Sequence, residues 1–326
     1  MKTVAIIYGG YSEEWVISEK SAQVVLSHLD PQKYATYLVR IAEASWSVSV
    51  DNSTIEIDKN DFSFSQNGTK TKFDVVFNAI HGTPGEDGKL QGYFDSLRIP
   101  YTSPGVMASS LTFSKSYCNG FLRQFDDVNI ATSMVVTKGE SVEVNEVAER
   151  IGFPCFVKPN NGGSSFGITK VIEPSEFNTA LEFALENDTE AVVEQFINGR
   201  EFGSGVYQRD GKVIPLPITE IISNNEFFDY QAKYEGASQE ITPAELDLET
   251  TQLIQVTTAK VFARLKLRGM SRVDYIVQDG QPYLIEVNTI PGLSEESILP
   301  QQVICAGITL REFFGVLVEE ARCSAS

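Results

Sequence analysis

The sequence predicts an α/β chain that turns α+β towards its C-terminus. Near the N-terminus an uninterrupted apolar run, Val4-Ala5-Ile6-Ile7-Tyr8, ends in Gly9-Gly10, the pattern of a strand buried on both faces. Helical stretches follow such strands through the first 192 residues, as in a layered α/β unit. Beyond residue 193 strands dominate and one helix closes the chain.

The chain has 326 residues, enough for two or three packed units. With 42% hydrophobic residues and a mean hydropathy of −0.11 it reads as globular. No apolar run approaches the ~20 residues of a membrane helix, so no membrane span is expected. Val4–Tyr8 is too short for a secretory signal core. Cys118, Cys155, Cys305 and Cys323 are scattered without a paired spacing, which fits reduced thiols in a cytoplasmic protein. A net charge of −18 argues against nucleic acid as a partner. Any bound phosphate must then meet locally placed lysines, and Lys115, Lys158 and Lys233 are the candidates.

In the first unit, 1–103, strands are expected at 3–8, 37–41 and 75–79, with a helix at 18–29. Gly9-Gly10 before Ser12-Glu13-Glu14 is a strand–loop–helix junction, a usual ligand position in α/β sheets. The polar stretch 52–72 reads as an excursion with β character. The Pro100–Gly105 run marks the first boundary. In a smaller second unit, 104–192, helices are expected at 106–125, 142–151 and 175–186, and strands at 154–158, 167–171 and 191–196. The last unit, 193–326, ends in a helix at 310–322.

The most informative constellation lies near the C-terminus: Arg272-Val273-Asp274, a turn, then Glu286-Val287-Asn288 and Thr289-Ile290-Pro291-Gly292. Two carboxylates and an amide on one hairpin form an oxygen-rich site suited to Mg²⁺. Tyr275, Val277, Tyr283, Ile285 and Val287 alternate as one face, and Arg272, Asp274, Glu286 and Asn288 as the other. A two-residue Asp279-Gly280 turn would put the carboxylates on opposite faces. A three-residue loop, 278–280, is therefore expected, pairing Val277 with Gln281 and Arg272 with Glu286. The competing reading is a surface hairpin with solvated charges.

A second constellation begins at Lys158 and runs through Pro159-Asn160-Asn161-Gly162-Gly163-Ser164-Ser165-Phe166-Gly167. Glycine lets backbone N–H groups approach phosphate, serine adds donors, and Lys158 adds charge. The lysine does not follow the second glycine before a helix, so this is not a P-loop. Further on, Val193-Glu194-Gln195-Phe196-Ile197 and Gly199-Arg200-Glu201 read as an edge strand entering the last unit. Its backbone could meet an adenine edge, and Glu201 ribose hydroxyls. Taken alone, Glu194 and Glu201 read as solvated charges.

These motifs, in this order, resemble the ATP-grasp superfamily and, within it, the D-alanine–D-alanine ligase family. Gly9-Gly10-x-Ser12-x-Glu14, His81-Gly82-x-x-Gly85-Glu86-Asp87-Gly88-x-Leu90-Gln91-Gly92, Ile99-Pro100-Tyr101-Thr102, Tyr230-x-x-Lys233-Tyr234 and Asn288-Thr289-x-Pro291-Gly292…Ser297-x-x-Pro300 carry the match over nearly the whole chain. The resemblance implies a Rossmann-like domain ahead of a two-part ATP-grasp fold. It implies ATP-dependent joining of two D-alanines through a D-alanyl phosphate, for peptidoglycan precursors, by a homodimer.

Residue by residue, the resemblance implies the following roles. Lys115, Lys158 and Lys233 hold ATP phosphates with Ser164 and Ser165 in the loop; Glu201 takes the ribose, and Glu194, Gln195, Phe196 and Ile197 the adenine. Asp274, Glu286 and Asn288 bind two Mg²⁺ ions, with Mn²⁺ a possible substitute. Glu14 binds the first ammonium and joins Ser164 and Tyr234 in a network closing the site, with 224–238 as the lid. Arg272 and the Gly292 N–H stabilise the anionic intermediates. Ser297 and Ile298 contact the second D-alanine. His81 has two open readings, a packing imidazole at a strand end or a group near the second substrate.

Some positions depart from the family pattern. Ser114 precedes Lys115 where Asp is usual, Asn119 replaces a basic residue, Trp15-Val16 replaces charged residues, and Gly162 stands where Glu is frequent. Three competitors remain: a D-alanine–D-lactate ligase, disfavoured by Tyr234; another carboxylate–amine ligase of the superfamily; and a nucleotide-binding protein without activity, disfavoured because every required residue is kept.

Overall fold

The computed structural model describes residues 1–163, 167–223 and 238–323. Ser164, Ser165, Lys233, Tyr234 and nearly all of the expected lid lie outside them.

The first unit holds β1 (Lys2–Gly9), α1 (Trp15–His28), β2 (Tyr34–Ile41), β3 (Trp46–Val50), β4 (Ser53–Glu56), β5 (Ser63–Gln66), β6 (Thr69–Lys72), β7 (Val75–Asn78) and α2 (Lys89–Leu97). The sheet order is β4-β3-β2-β1-β7, with β1 parallel to both β2 and β7. Both faces of β1 are buried. Val4 and Ile6 pack with α1 and the C-terminal helices, and Ala5 and Ile7 with Phe62, Phe94 and Tyr101 on the other face. The polar excursion forms β4 and the β5–β6 hairpin, which are anchored by buried Phe62 and Phe64.

The second unit holds α3 (Val106–Phe113), α4 (Lys115–Leu122), β8 (Asn129–Ile130), β9 (Ser133–Thr137), α5 (Val144–Arg150), β10 (Cys155–Pro159), β11 (Thr169–Val171), α6 (Phe177–Asn187) and β12 (Glu190–Gln195). The helix expected over 106–125 is two helices. Ser114 is extended between them and bridges to Asn161. Asn160 accepts from the Lys115 N–H at 2.9 Å through its carbonyl and from the Ser116 N–H at 2.9 Å through its side chain. These are donors that the start of a helix leaves unsatisfied, so Asn160 ends α3, starts α4 and aims Lys115 at the glycine loop. The segment expected as an edge strand, 193–197, is interior: β12 lies between β10 and β9. β12 also runs through the expected division at 192/193, and the chain leaves that sheet only after Gln195.

The third unit holds β13 (Arg200–Arg209), β14 (Lys212–Ser223), β15 (Ser238–Ile241), α7 (Leu248–Arg264), β16 (Met270–Gln278), β17 (Gln281–Asn288), α8 (Ile298–Cys305) and α9 (Leu310–Glu320). Among the described residues the strand order is β15-β14-β13-β16-β17-β8.

The β16–β17 hairpin corrects the expected three-residue loop. Gln278 pairs with Gln281 across a two-residue turn, and both Asp279 (φ 51°) and Gly280 (φ 74°) are left-handed. That turn matches the twist of antiparallel strands. The phase error it would create is removed by a bulge: Asp274 pairs with Glu286 but Tyr275 with Leu284, leaving Ile285 as the extra residue. Pro282, Leu284 and Val287 are therefore buried, rather than Tyr283 and Ile285.

One core cluster joins the first and third units. Val4, Ile6 and Phe77 of the first sheet, Ala22 and Val25 of α1, and Leu293, Leu299, Phe313, Phe314 and Leu317 of the last unit form a single cluster. At a second junction, Gly269 (φ +68°) would place a Cβ only 1.9 Å from the Thr102 carbonyl oxygen. Gly280 has open space around its Cβ position. We predict that Gly269→Ala loses on the order of 3 kcal/mol and Gly280→Ala about 1 kcal/mol. Urea unfolding of both variants checks this; equal losses would show that the Thr102 contact contributes nothing.

Candidate active site

Arg272 and Asp274 are two residues apart on β16 and therefore share a face. The guanidinium donates from Nε to Asp274 Oδ1 and from Nη2 to Oδ2, both at 2.7 Å. This two-point fork fixes both side chains. Burial opposes the Arg272 charge, but Asp274, Glu286 and Glu240 together outweigh it and raise its pKa. Across the bulged hairpin, Arg272 pairs with Asn288 and Asp274 with Glu286. The Asn288 amide donates to Asp274 Oδ2 at 2.9 Å and reaches Glu286 Oε1 at 3.5 Å. The four side chains predicted to share a face do so, and Asp274 is buried rather than solvated.

Among the described residues no three His, Cys, Asp or Glu side chains form a preformed metal cage. The site still suits a hard divalent cation. Mg²⁺ is commonly held by one or two carboxylates plus substrate phosphates, and Asp274 facing Glu286 supplies that pair of carboxylates.

This face opens into a cleft of about 530 Å³ lined by Lys115, Lys158, Glu194, Phe196, Ile197, Glu201, Asp274 and Glu286, among others. Lys158, next to the end of β10, donates to Glu194 Oε1 at 2.7 Å, both side chains being buried. An ammonium has three donors, so one carboxylate leaves Lys158 able to meet a phosphate. Lys115 donates to the Gly162 carbonyl at 2.7 Å, which brings it to the glycine loop. Beyond β12, Phe196 is capped by Lys170 at 4.5 Å and stands 5.9 Å from Phe156. This aromatic wall can take a flat heterocycle. Glu194 is buried, contrary to its reading as a solvated charge, while Glu201 is half-buried and lines the cleft.

The other end of the site is built by the first unit. Glu14 stands at the start of α1 between two loops: a Cβ on Gly82 would lie 2.8 Å from its Oε2, and one on Gly163 3.3 Å from its Oε1. Gly292 packs on Ser297, where an added Cβ would meet Oγ at 2.7 Å. Gly203 packs on Arg272, Asp274 and Ile298 alike, so the Ser297–Ile298 start of α8 adjoins the Arg272 fork.

Sequence reasoning missed several groups. Arg200 forks onto Glu220 with two 2.7 Å bonds at the cleft rim, and Phe156, Ile168 and Lys170 help to line the cleft. No motif marks them, because strand pairing alone brings them together. Glu86 stood inside the quoted HGxxGEDG run without a role. Its carboxylate accepts from the Gly82 and Ile290 N–H groups at 2.8 and 2.9 Å.

The N-terminal model of the D-Ala–D-Ala ligase family matches residues 3–104 and the C-terminal model matches 122–319. The D-alanine–D-alanine ligase of Parabacteroides distasonis is 46% identical over 321 residues, covering 98% of this chain and 97% of its own length. The chain belongs to the D-alanine–D-alanine ligase family. Its fold is that of solved structures named as such ligases and of a close variant. The Bacillus anthracis D-alanine–D-alanine ligase complexed with ATP matches at 28% identity and a TM-score of 0.79, covering 98% of this chain and 97% of that one. The VanG D-Ala:D-Ser ligase of Enterococcus faecalis matches at 30% identity and a TM-score of 0.87, covering 98% of both chains.

The charge arrangement in this ligase-family site has a pH consequence. Burial pushes the Glu86 carboxyl up from 4.5 to about 7, with Glu14 adding to the rise and the Gly82 and Ile290 N–H groups and the Thr289 hydroxyl opposing it. A carboxyl raised on folding stabilises the fold fully below its unfolded pKa. That contribution is lost as pH climbs to the folded value. The ligand-free protein should therefore lose on the order of a few kcal/mol between about pH 4.5 and 7, a slope that Glu86→Gln should lack. Unfolding free energies of both proteins at the two pH values check this; identical slopes contradict it.

Proposed function

We propose that this protein joins two D-alanines to D-alanyl-D-alanine, converting ATP to ADP and phosphate. The observation that carries the reading is one cleft that brings Lys115 and Lys158 together with Glu286 and with Asp274, which Arg272 grips, in a chain of this family. Glu14 holds the ammonium of the first D-alanine. A carboxylate oxygen of that D-alanine attacks the γ-phosphorus, the bond from that phosphorus to the β-phosphate oxygen breaks, and ADP leaves. Lys115 and Lys158 meet the charge on the phosphates, which is most of what phosphoryl transfer asks of a protein. Asp274, Glu286 and Asn288 would hold Mg²⁺, which would supply positive charge to the phosphate oxygens.

The amine of the second D-alanine, beside Ser297 and Ile298, then attacks the acyl carbon. The C–N bond forms, the amine proton is lost and phosphate departs. Arg272 and the Gly292 N–H hold the oxyanion between these events. Glu194, Gln195, Phe196 and Ile197 with Glu201 take the nucleoside end. The backbone that meets the adenine edge is assigned to the stretch after Gln195, because β12 itself is fully paired. Lys233, Ser164, Ser165 and Tyr234 enter through sequence resemblance alone, as phosphate and loop-closing groups. We further propose a three-unit division, 1–103, 104–195 and 196–326, with the second boundary moved from 192 to the end of β12, and a cytoplasmic enzyme that is a homodimer. Free thiols at Cys118, Cys155, Cys305 and Cys323 fit a reducing compartment. No single helix among the described residues is long and apolar enough to cross a membrane.

The test is phosphate release from ATP and Mg²⁺ with D-alanine, L-alanine or no amino acid, with the product identified by mass. Release that depends on D-alanine and yields the dipeptide is expected. No release from folded, ATP-binding protein would overturn the reading. The match to a D-Ala:D-Ser ligase makes D-serine the first alternative acceptor to supply, with D-lactate as the second. Arg272→Lys cannot form the fork and should lower dipeptide turnover about 100-fold, with ATP affinity largely kept; steady-state rates check this.

A further inference from the structure

The segment 289–293, which carries Gly292, is held from the first unit on two sides. On one side, Glu86 Oε1 accepts from the Ile290 N–H at 2.9 Å and the Thr289 hydroxyl at 3.2 Å. Glu86 Oε2 accepts from the Gly82 N–H at 2.8 Å. On the other side, His81 Nδ1 lies 2.7 Å from the Ile290 carbonyl and Nε2 lies 3.1 Å from Ser21 Oγ. A carbonyl only accepts, so Nδ1 carries the proton and Nε2 is an acceptor. Ser21 on α1 accepts from the Leu293 N–H at 3.1 Å and so turns its own proton to Nε2. The chain of bonds runs from Leu293 N–H through the Ser21 hydroxyl and the His81 ring to the Ile290 carbonyl. Burial lowers the His81 pKa, with Glu14 and the Ile290 bond opposing, which agrees with a neutral ring of fixed tautomer.

The consequence lies in what remains between these anchors. Pro291 has no N–H, those of Ile290 and Leu293 are held, and Gly292 lies between them. His81 has both ring nitrogens committed to protein partners, so it acts through the segment. Thr289, His81 and Leu293 are all buried, so the segment cannot shift without breaking several bonds across the junction.

Resting on the ligase reading above, we propose that Glu86 and the His81–Ser21 pair are positioning residues for the second bond-forming step. They set where the Gly292 N–H meets the oxyanion formed when the amine attacks the acyl phosphate. A displacement of about 1 Å at such a donor costs on the order of 100-fold. The side chains assigned to the ATP phosphates, Lys115, Lys158, Asp274 and Glu286, lie outside this segment, so phosphoryl transfer depends on it less than amine attack does. Loosening it should therefore uncouple the two halves: acyl phosphate still forms, is captured less often by the amine, and is lost to water with release of phosphate.

The experiment uses the full chain with Glu86→Gln and, separately, Ser21→Ala. Glutamine presents N–H donors to the Gly82 N–H or to segment 289–290, and alanine removes the acceptor for Leu293. For each protein, D-alanine-dependent phosphate and dipeptide are measured together, with the KM for ATP and the melting temperature. The expected result is a dipeptide rate roughly 10- to 100-fold lower, phosphate release reduced far less, and an unchanged KM for ATP. A dipeptide-to-phosphate ratio equal to the parent's in both variants would overturn the proposal, whatever the melting temperatures. If one variant fails to fold, the other still gives the ratio. A parent protein that makes no dipeptide would instead remove the ligase reading.

Discussion

The bulge at Ile285 is the constraint on which the rest of the site depends. Side chains on a strand alternate with a period of two, so one unpaired residue decides which face everything beyond it uses. The Asp279-Gly280 turn starts β17 in a register that would send Glu286 and Asn288 into the core. Ile285 reverses it within one residue. Leu284 and Val287 then fill the core, while Glu286 and Asn288 face the cleft beside Asp274 and Arg272. The hairpin thereby keeps a tight turn and a continuous core together with a charged face held by the Arg272 fork.

The first unit meets that charged face at one end. Glu14, Gly82 and the glycine loop come together at one end, and segment 289–293 joins them from the other unit. The contact is tied down by the core that runs from β1 and α1 into α8 and α9. Apolar burial thus fixes the gross placement of the units, and directional hydrogen bonds fix the final register of segment 289–293. Each level is needed, because burial is non-directional whereas hydrogen bonds depend on distance and angle.

Much of this was legible in the residues. The apolar runs located β1 and β7, and the Arg272-x-Asp274 and Glu286-x-Asn288 spacings placed four side chains on one face. The expected loop at 278–280 was wrong for an instructive reason. Composition cannot distinguish a longer turn from a short turn plus a bulge, since both restore the same phase. The split between α3 and α4 was hidden because its cause, Asn160, lies on a distant loop. Glu194 read as solvated because nothing local announces its partner Lys158 across the sheet. Groups gathered by strand pairing, such as Phe156, Lys170 and the Arg200–Glu220 fork, carry no motif. Family resemblance added roles for Gly292, Ser297 and Ile298 that spacing alone could not supply.

The most direct test of the bulged hairpin as the metal-binding face is anomalous diffraction from crystals grown with Mn²⁺ and a non-hydrolysable ATP analogue. Anomalous peaks within bonding distance of Asp274, Glu286 and Asn288, beside the phosphates, are the result this account predicts. Nucleotide bound in the cleft with the metal held elsewhere, or with Glu286 turned into the core, would contradict it.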